Sequence, residues 1–185
     1  MNIFEKKKLE RHNFRKLRNE ISINQRENVE KNVKLYVDSF IKEYKNIGHI
    51  AIYWPLKNEV DIRSLKEKIS LALPRCEDKK ELLFYPWDKK PLTKDSEGIL
   101  SPNNSFSLSH EQINLILVPC LSVDKNLIRL GYGGGYFDKL RRDQDWRNVP
   151  CIGVLTSNCV SKIPLTRAEW DIPLSGFITE KEIFV

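Results

Sequence analysis

The run Ile113-Asn-Leu-Ile-Leu-Val-Pro119 constrains the fold more than any other part of this 185-residue chain. Six of its seven residues are apolar, and they do not alternate with polar ones. A strand of this kind is covered on both faces, as at the centre of a parallel sheet. Residues 150–155 (PCIGVL) repeat the signature, and residues 49–54 (HIAIYW) read as a short buried strand that Pro55 ends. Residues 82–87 and 176–179 are shorter strand candidates, the second expected to be the last in the chain.

Helical patterns fall between these strands. Ser22 and Gln25 fit a capping box, in which each side chain satisfies a free backbone N–H of the first turn. Val29, Val33, Tyr36, Val37, Phe40, Ile41 and Tyr44 then share one face, and this helix is expected to end near Gly48. Upstream, Leu9, Phe14, Leu17 and Ile21 give a weaker repeat, which marks residues 1–21 as a helical arm. Asp61 is placed to cap a further helix with apolar positions Ile62, Leu65, Ile69 and Ala72, and residues 136–142 can start another. Residues 88–111 are rich in Lys, Pro, Ser, Asn and Asp and read as a long loop interrupted at Ile99 and Leu100, a candidate lid. Alternating strands and helices predict an α/β fold: a single domain over residues 1–185, with a largely parallel sheet flanked by helices. Ligands of such sheets bind at the carboxyl ends of the strands.

The net charge of +6 is concentrated at one end. Residues 1–18 hold Lys6, Lys7, Lys8, Arg11, Arg15, Lys16 and Arg18 against Glu5 and Glu10. Such a segment suits nucleic acid, anionic lipid or a phosphorylated small molecule, while on charge alone a solvated helix face is the favoured reading. No apolar run reaches the roughly 18 residues of a membrane span, and no secretory leader is seen. Cys76, Cys120, Cys151 and Cys159 form no C-x-x-C pair, and His12, His49 and His110 lie far from them, so zinc-ligand spacing is absent. Four buried thiols in a reduced, cytoplasmic protein are expected.

Residues 129–138 carry the chemistry: Arg129-Leu-Gly131-Tyr132-Gly133-Gly134-Gly135-Tyr136-Phe137-Asp138. Four of the eight glycines sit within five residues, between a strand and a helix. Without Cβ atoms, successive backbone N–H groups can approach a ligand and form an anion nest. Phosphate is the natural guest. No Gly-Lys-Ser/Thr follows, so this is not a P-loop, and the spacing is not that of a dinucleotide-binding turn. Arg129 can fork onto phosphate oxygens, and Asp138 can hold a magnesium ion.

This loop resembles the signature of the 5-formyltetrahydrofolate cyclo-ligase family, also called 5,10-methenyltetrahydrofolate synthetases. Other blocks stand in the family's order: Lys7, Arg11 and Arg18 before Ile21-Ser22, Glu59-Val-Asp61 after Pro55, Leu73-Pro-Arg75, Gly98 to Pro102, Val118-Pro119 with Asp124, and Trp170-Asp171 before Ile178-Thr-Glu180. The chain departs from the family pattern at Ile62, Ser101 and Phe137, where Thr, Glu and Tyr are usual. The resemblance implies an ATP- and magnesium-dependent ring closure, in which the formyl oxygen of 5-formyltetrahydrofolate is phosphorylated and N10 attacks the activated carbon. It also implies the roles. Lys7, Arg11 and Arg129 neutralise moving charge. Gly131, Tyr132, Gly133, Gly134, Gly135, Tyr136 and Phe137 surround the nucleotide. Glu59, with Tyr132, Tyr136 and Gly133 to Gly135, borders the folate, and Asp138 and Asp171 hold magnesium. The basic arm becomes an ATP clamp, and a monomer without nucleic-acid or membrane partners is expected. A nucleic-acid module is the alternative raised by charge, but no base-reading motif accompanies it. A different phosphate-binding enzyme on a similar scaffold is the other.

Overall fold

The computed structural model describes residues 1–44, 46–78, 81–88 and 90–185. Two long helices open the chain, α1 (Ile3–Asn19) and α2 (Ile23–Glu43). Strands β1 (His49–Ala51), β2 (Leu71–Glu77) and β3 (Glu81–Pro86) follow, then a hairpin of β4 (Leu92–Lys94) and β5 (Leu100–Pro102). Next come β6 (Ile113–Pro119) and a small ribbon of β7 (Ser122–Val123) with β8 (Arg129–Leu130). Two short helices, α3 (Tyr136–Leu140) and α4 (Gln144–Asn148), precede β9 (Cys151–Val154), β10 (Gly176–Ile178) and β11 (Ile183–Phe184).

The main sheet has the order β11-β10-β9-β6-β1-β2-β3. From β10 to β2 it is parallel, and only the edge strands β3 and β11 run antiparallel. The unbroken apolar run is therefore the middle strand of seven, as expected. Its residues alternate between two cores. Leu115 and Leu117 join Ile50, Ile52, Leu71, Leu73, Ile152 and Val154 under Val29, Val33, Val37 and Phe40 of α2. Ile116 and Val118 face the other way, with Ala51, Ala72 and Cys151, toward Leu140, Val149 and Leu174. An α/β fold with a mostly parallel sheet flanked by helices is thus present.

Several boundaries differ from the sequence reading. Asp61 does accept a hydrogen bond from the Arg63 backbone N–H (3.0 Å), but only a single 3₁₀ turn, Arg63–Glu67, follows. Ala72 instead belongs to β2. Pro74 cannot donate within a helix, and Leu71 and Leu73 gain more by packing under α2 while bonding to β1. Within the 88–111 stretch, residues 92–102 form a hairpin rather than an open loop, and Leu108 bridges to Phe84 of β3. Lys89 of that stretch, and Lys45 at the expected end of α2, lie outside the described residues. Helix α2 ends at Glu43, with Tyr44 exposed. Strand β10 is not the last, since β11 closes the edge behind it. All four cysteines are buried free thiols. No helix among the described residues is long and apolar enough to cross a membrane.

The chain order around the sheet positions the site. From β1 the chain steps outward to β2 and β3, then returns to β6 on the opposite side of β1. The β1/β6 boundary is a topological switch point, where a crevice opens beyond the carboxyl ends of the strands.

Candidate active site

A cavity of about 350 Å³ occupies that crevice. Its walls are the segment after β1 (Tyr53, Trp54, Glu59), the end of β6 at Pro119, and the whole glycine-rich loop. Glu97 and Ile99, from the β4–β5 hairpin, close one side, and Arg11 of α1 closes another. The size and mixed lining suit a small-molecule ligand with both ring and charged parts.

The glycine-rich loop departs from β8, which lies in the ribbon rather than the main sheet. Gly133 and Gly135 take φ values of 108° and 80°, in the left-handed region that side-chain-bearing residues avoid. Two arginines of α1 hold the loop from behind. Arg11 Nε donates to the Gly131 carbonyl (3.0 Å) and Arg15 to the Tyr132 carbonyl (3.2 Å). A trans peptide sets one residue's carbonyl opposite the next residue's N–H. These two contacts therefore aim the N–H groups of Tyr132 and Gly133 away from the guanidinium groups. Among the described residues, none accepts a hydrogen bond from the backbone N–H of Gly131, Tyr132, Gly133, Gly134 or Gly135.

Helix α1 begins with a capping box between Asn2 and Glu5. Its inward stripe is Ile3, Lys7, Glu10, Arg11, Phe14 and Arg18, residues one turn apart along one face. Lys7 is its only buried residue, at 9 % exposure, and its Nζ pairs with Asp171, itself 5 % exposed. Glu10 accepts from the Thr166 backbone N–H (3.0 Å) and hydroxyl (2.7 Å). Arg18 donates to the Tyr132 hydroxyl, lies 4.9 Å from the centroid of that ring, and stands 3.8 Å from Glu59.

Glu59 accepts from the Leu56 backbone N–H through Oε2 (2.7 Å), while Oε1, the oxygen that faces Arg18, is buried and makes no hydrogen bond among the described residues. Burial pushes its carboxyl above the usual carboxylate range, and Tyr132, the Leu56 N–H and Arg18 offset this only in part. An acceptor held inside a ring-sized cavity suits the amino and ring N–H donors of a pterin. Burial also raises the Tyr132 hydroxyl well above the phenolic range, with Glu59 adding to it. Arg129 donates to Asp138 (3.0 Å) and the Pro119 carbonyl (3.3 Å) and rests 5.2 Å from the centroid of Phe137. Tyr136 donates to Glu97 across the cavity mouth (2.5 Å).

The expected residues are largely brought together. Arg11, Glu59, Arg129, the loop from Gly131 to Gly135, Tyr136, Phe137 and Asp138 all border the cavity. Lys7 does not; it is turned onto Asp171. Asp138 and Asp171 line an adjoining narrow cleft with Arg129 and Phe137. Each acid spends one oxygen on a cation, Asp171 Oδ2 on Lys7 and Asp138 Oδ1 on Arg129. Among the described residues no cluster of three metal-ligating side chains forms. Two carboxylates with an oxygen to spare fit magnesium, which takes most of its ligands from phosphates and water.

Arg15, Arg18 and Glu97 were not singled out for the site by sequence. The spacing of Lys7, Arg11 and Arg18 already places them on one helix face, and that signal points to Arg18. Glu97 carries none, because it reaches Tyr136 only through the hairpin.

Comparison with known proteins gives the family and the fold. The 5-formyltetrahydrofolate cyclo-ligase family matches residues 3–180. A 5-formyltetrahydrofolate cyclo-ligase of Haemophilus influenzae is 28% identical over 172 residues, covering 87% of this chain and 90% of the relative. The solved structure of Aquifex aeolicus 5,10-methenyltetrahydrofolate synthetase superposes with a TM-score of 0.76 at 28% identity, covering 100% of this chain and 92% of that one. The synthetase of Mycoplasma pneumoniae shares the fold, with a TM-score of 0.71 at 24% identity over 94% of this chain and 98% of the other. With the family's model matched over nearly its full length, the chain belongs to the 5-formyltetrahydrofolate cyclo-ligase family of enzymes.

Proposed function

We propose that this protein closes 5-formyltetrahydrofolate to 5,10-methenyltetrahydrofolate, using ATP and magnesium and releasing ADP and phosphate. The observation that carries this reading is the set of five backbone N–H groups from Gly131 to Gly135 with no acceptor among the described residues, bordering the same cavity as Glu59, Arg11 and Arg129.

The 5-formyl oxygen attacks the γ-phosphorus of ATP, and ADP departs. N10 then bonds to the formyl carbon and loses its proton, and the carbon–oxygen bond breaks to release phosphate. The formyl oxygen is a poor leaving group until it is phosphorylated. Main-chain N–H groups of residues 131–135 cradle the phosphates, while Tyr132, Tyr136 and Phe137 flank them. Lys7, Arg11 and Arg129 neutralise charge that moves during transfer, the largest demand in phosphoryl chemistry. Glu59 orients the pterin, with Tyr132 and Tyr136 at its borders. Asp138 and Asp171 would hold magnesium, which supplies charge neutralisation at the phosphates. The protein acts as a cytoplasmic monomer on small molecules, without nucleic-acid or membrane partners.

Incubation with 5-formyltetrahydrofolate, ATP and magnesium is expected to give the ultraviolet absorption of the methenyl product. Folded protein that yields none overturns the reading. Arg11→Ala is expected to lower kcat/KM for ATP by roughly 10²–10³, the loss typical of one charge-stabilising donor.

A further inference from the structure

Three buried polar atoms that make no hydrogen bond among the described residues belong to residues that line one recess: Arg18 Nε, Glu59 Oε1, which stands 3.8 Å from Arg18 Nη1, and Thr156 Oγ1, whose side chain faces the Cys159 thiol. They come from three separate parts of the chain, α1, the segment after β1 and the segment after β9. The recess measures about 20 Å³ and lies behind the main cavity, with Glu59 and Pro119 lining both. The rest of its wall is mostly apolar, including Ile21, Val60, Val154 and Leu155. The Glu59 side chain is 3 % exposed and Thr156 2 %.

An unsatisfied buried polar atom costs about 1–3 kcal/mol. Three of them gathered around one space point to a shared guest. The chemistry of the wall narrows its identity. Glu59 Oε1 accepts, Arg18 Nε donates, and the Thr156 hydroxyl does either. A cation is repelled by Arg18 and an anion by Glu59. A cavity of roughly 10–15 Å³ or more holds one water, and a buried water makes about three hydrogen bonds. A pterin ring is too large to enter.

The geometry points to a single bound water in this recess, shared by Arg18, Glu59 and Thr156, which makes Arg18 and Thr156 positioning residues for the Glu59 carboxylate. Leu56 fixes Oε2 and the water fixes Oε1, so the carboxylate plane is set against the main cavity. Its consequence for substrate rests on the folate reading above. The other groups that face Glu59 are Tyr132 from the glycine-rich loop, Tyr53 beyond β1 and Cys120 beyond β6. Burial pushes all three up, Cys120 to about 12, so Arg18 is the charge that faces Glu59 at neutral pH.

A high-resolution crystal structure of the ligand-free protein is expected to show one water within hydrogen-bond distance of all three atoms. Carbon-13 NMR of the Glu59 carboxyl, also without ligand, should titrate at higher pH in Thr156→Val and return toward the wild-type curve in Thr156→Ser. KM for 5-formyltetrahydrofolate should rise roughly tenfold in Thr156→Val, more than kcat changes, the loss of one hydrogen bond to a charged group. Should Thr156→Val not fold, Arg18→Lys keeps the charge, removes the Nε–H and should displace the titration in the same direction. A dry recess, an unmoved Glu59 titration in folded variants, or a substrate group seated in the recess in place of the water overturns the proposal. If the titration moves and the water is present but 5-formyltetrahydrofolate is not turned over, the recess stands and the folate reading fails.

Discussion

Helices α1 and α2 lie next to each other in sequence and bury opposite chemistry. Helix α2 turns Val29, Val33, Val37 and Phe40 into the sheet. Helix α1 leaves Phe4, Leu9 and Leu17 exposed and turns Lys7, Glu10, Arg11 and Arg18 inward. The first is held by removing apolar surface from water, the second by ion pairs and hydrogen bonds to the glycine-rich loop and the 166–171 segment. Charges are costly to bury and contribute little net stability even when paired. Burying them on α1 therefore adds little to stability, whereas the apolar face of α2 contributes much of it.

Charge introduced on α2 breaks this contrast most strongly. Val33 is fully buried, and Val33→Asp is expected to cost several kcal/mol, enough to unfold a domain of ordinary stability. Circular dichroism on heating should show no cooperative transition. Next comes Asp171→Asn, which strands the buried Lys7 ammonium and should cost roughly 3–5 kcal/mol. Joint replacement, Lys7→Met with Asp171→Leu, should recover most of that stability and none of the activity. Recovery of activity would show that the pair serves the fold alone.

The next effect is smaller and depends on pH. Glu59 has its folded pKa raised by burial, so the native state binds more protons than the unfolded state between the two values. Its contribution is fully present below the ordinary glutamate value and is lost as pH rises through the raised one. Glu59→Gln removes that penalty. Its melting temperature should match wild type near pH 4 and exceed it by a few degrees at pH 7, with folate turnover lost. Equal melting curves at both pH values would mean that Arg18 and Tyr132 already cancel the burial cost. Smallest of all, Leu9→Ala on the exposed side of α1 should change stability by less than about 0.5 kcal/mol in the same melt, because Leu9 is 52 % exposed and outside the core.

The two helices also differ in how well they read from sequence. Helix α2 is legible because its capping residues and its apolar repeat agree. Helix α1 is present where the sequence puts it, but its inward face is not the one given by Leu9, Phe14, Leu17 and Ile21. Only Phe14 of these lies on the inward stripe of the helix, and Ile21 is buried beyond the helix end. The apolar rule fails there because the inward contacts are mostly polar, Phe14 against the Leu121, Ile128, Leu130 and Leu165 cluster being an exception. The 61–72 segment misleads for another reason. Its Ile62, Leu65, Ile69, Ala72 spacing satisfies a helix, yet a free sheet edge beside β1 and a proline at position 74 favour a strand. The residues of the glycine-rich loop are legible, since few other structures need four glycines in five positions.

Sequence by itself determined the parallel sheet, through a β6 run with no polar face, and the glycine cluster at residues 131–135 that borders the cavity. It also placed the cations of α1 on one face. Only the tertiary structure decided what those cations touch. Lys7 meets Asp171 across 164 residues, and Arg18 meets Glu59 and Tyr132 at the switch point between β1 and β6. Local spacing fixes which side of a helix or strand a residue occupies. Which distant carboxylate or carbonyl stands opposite depends on how the strands are ordered in the sheet, and that order follows from packing both apolar faces at once.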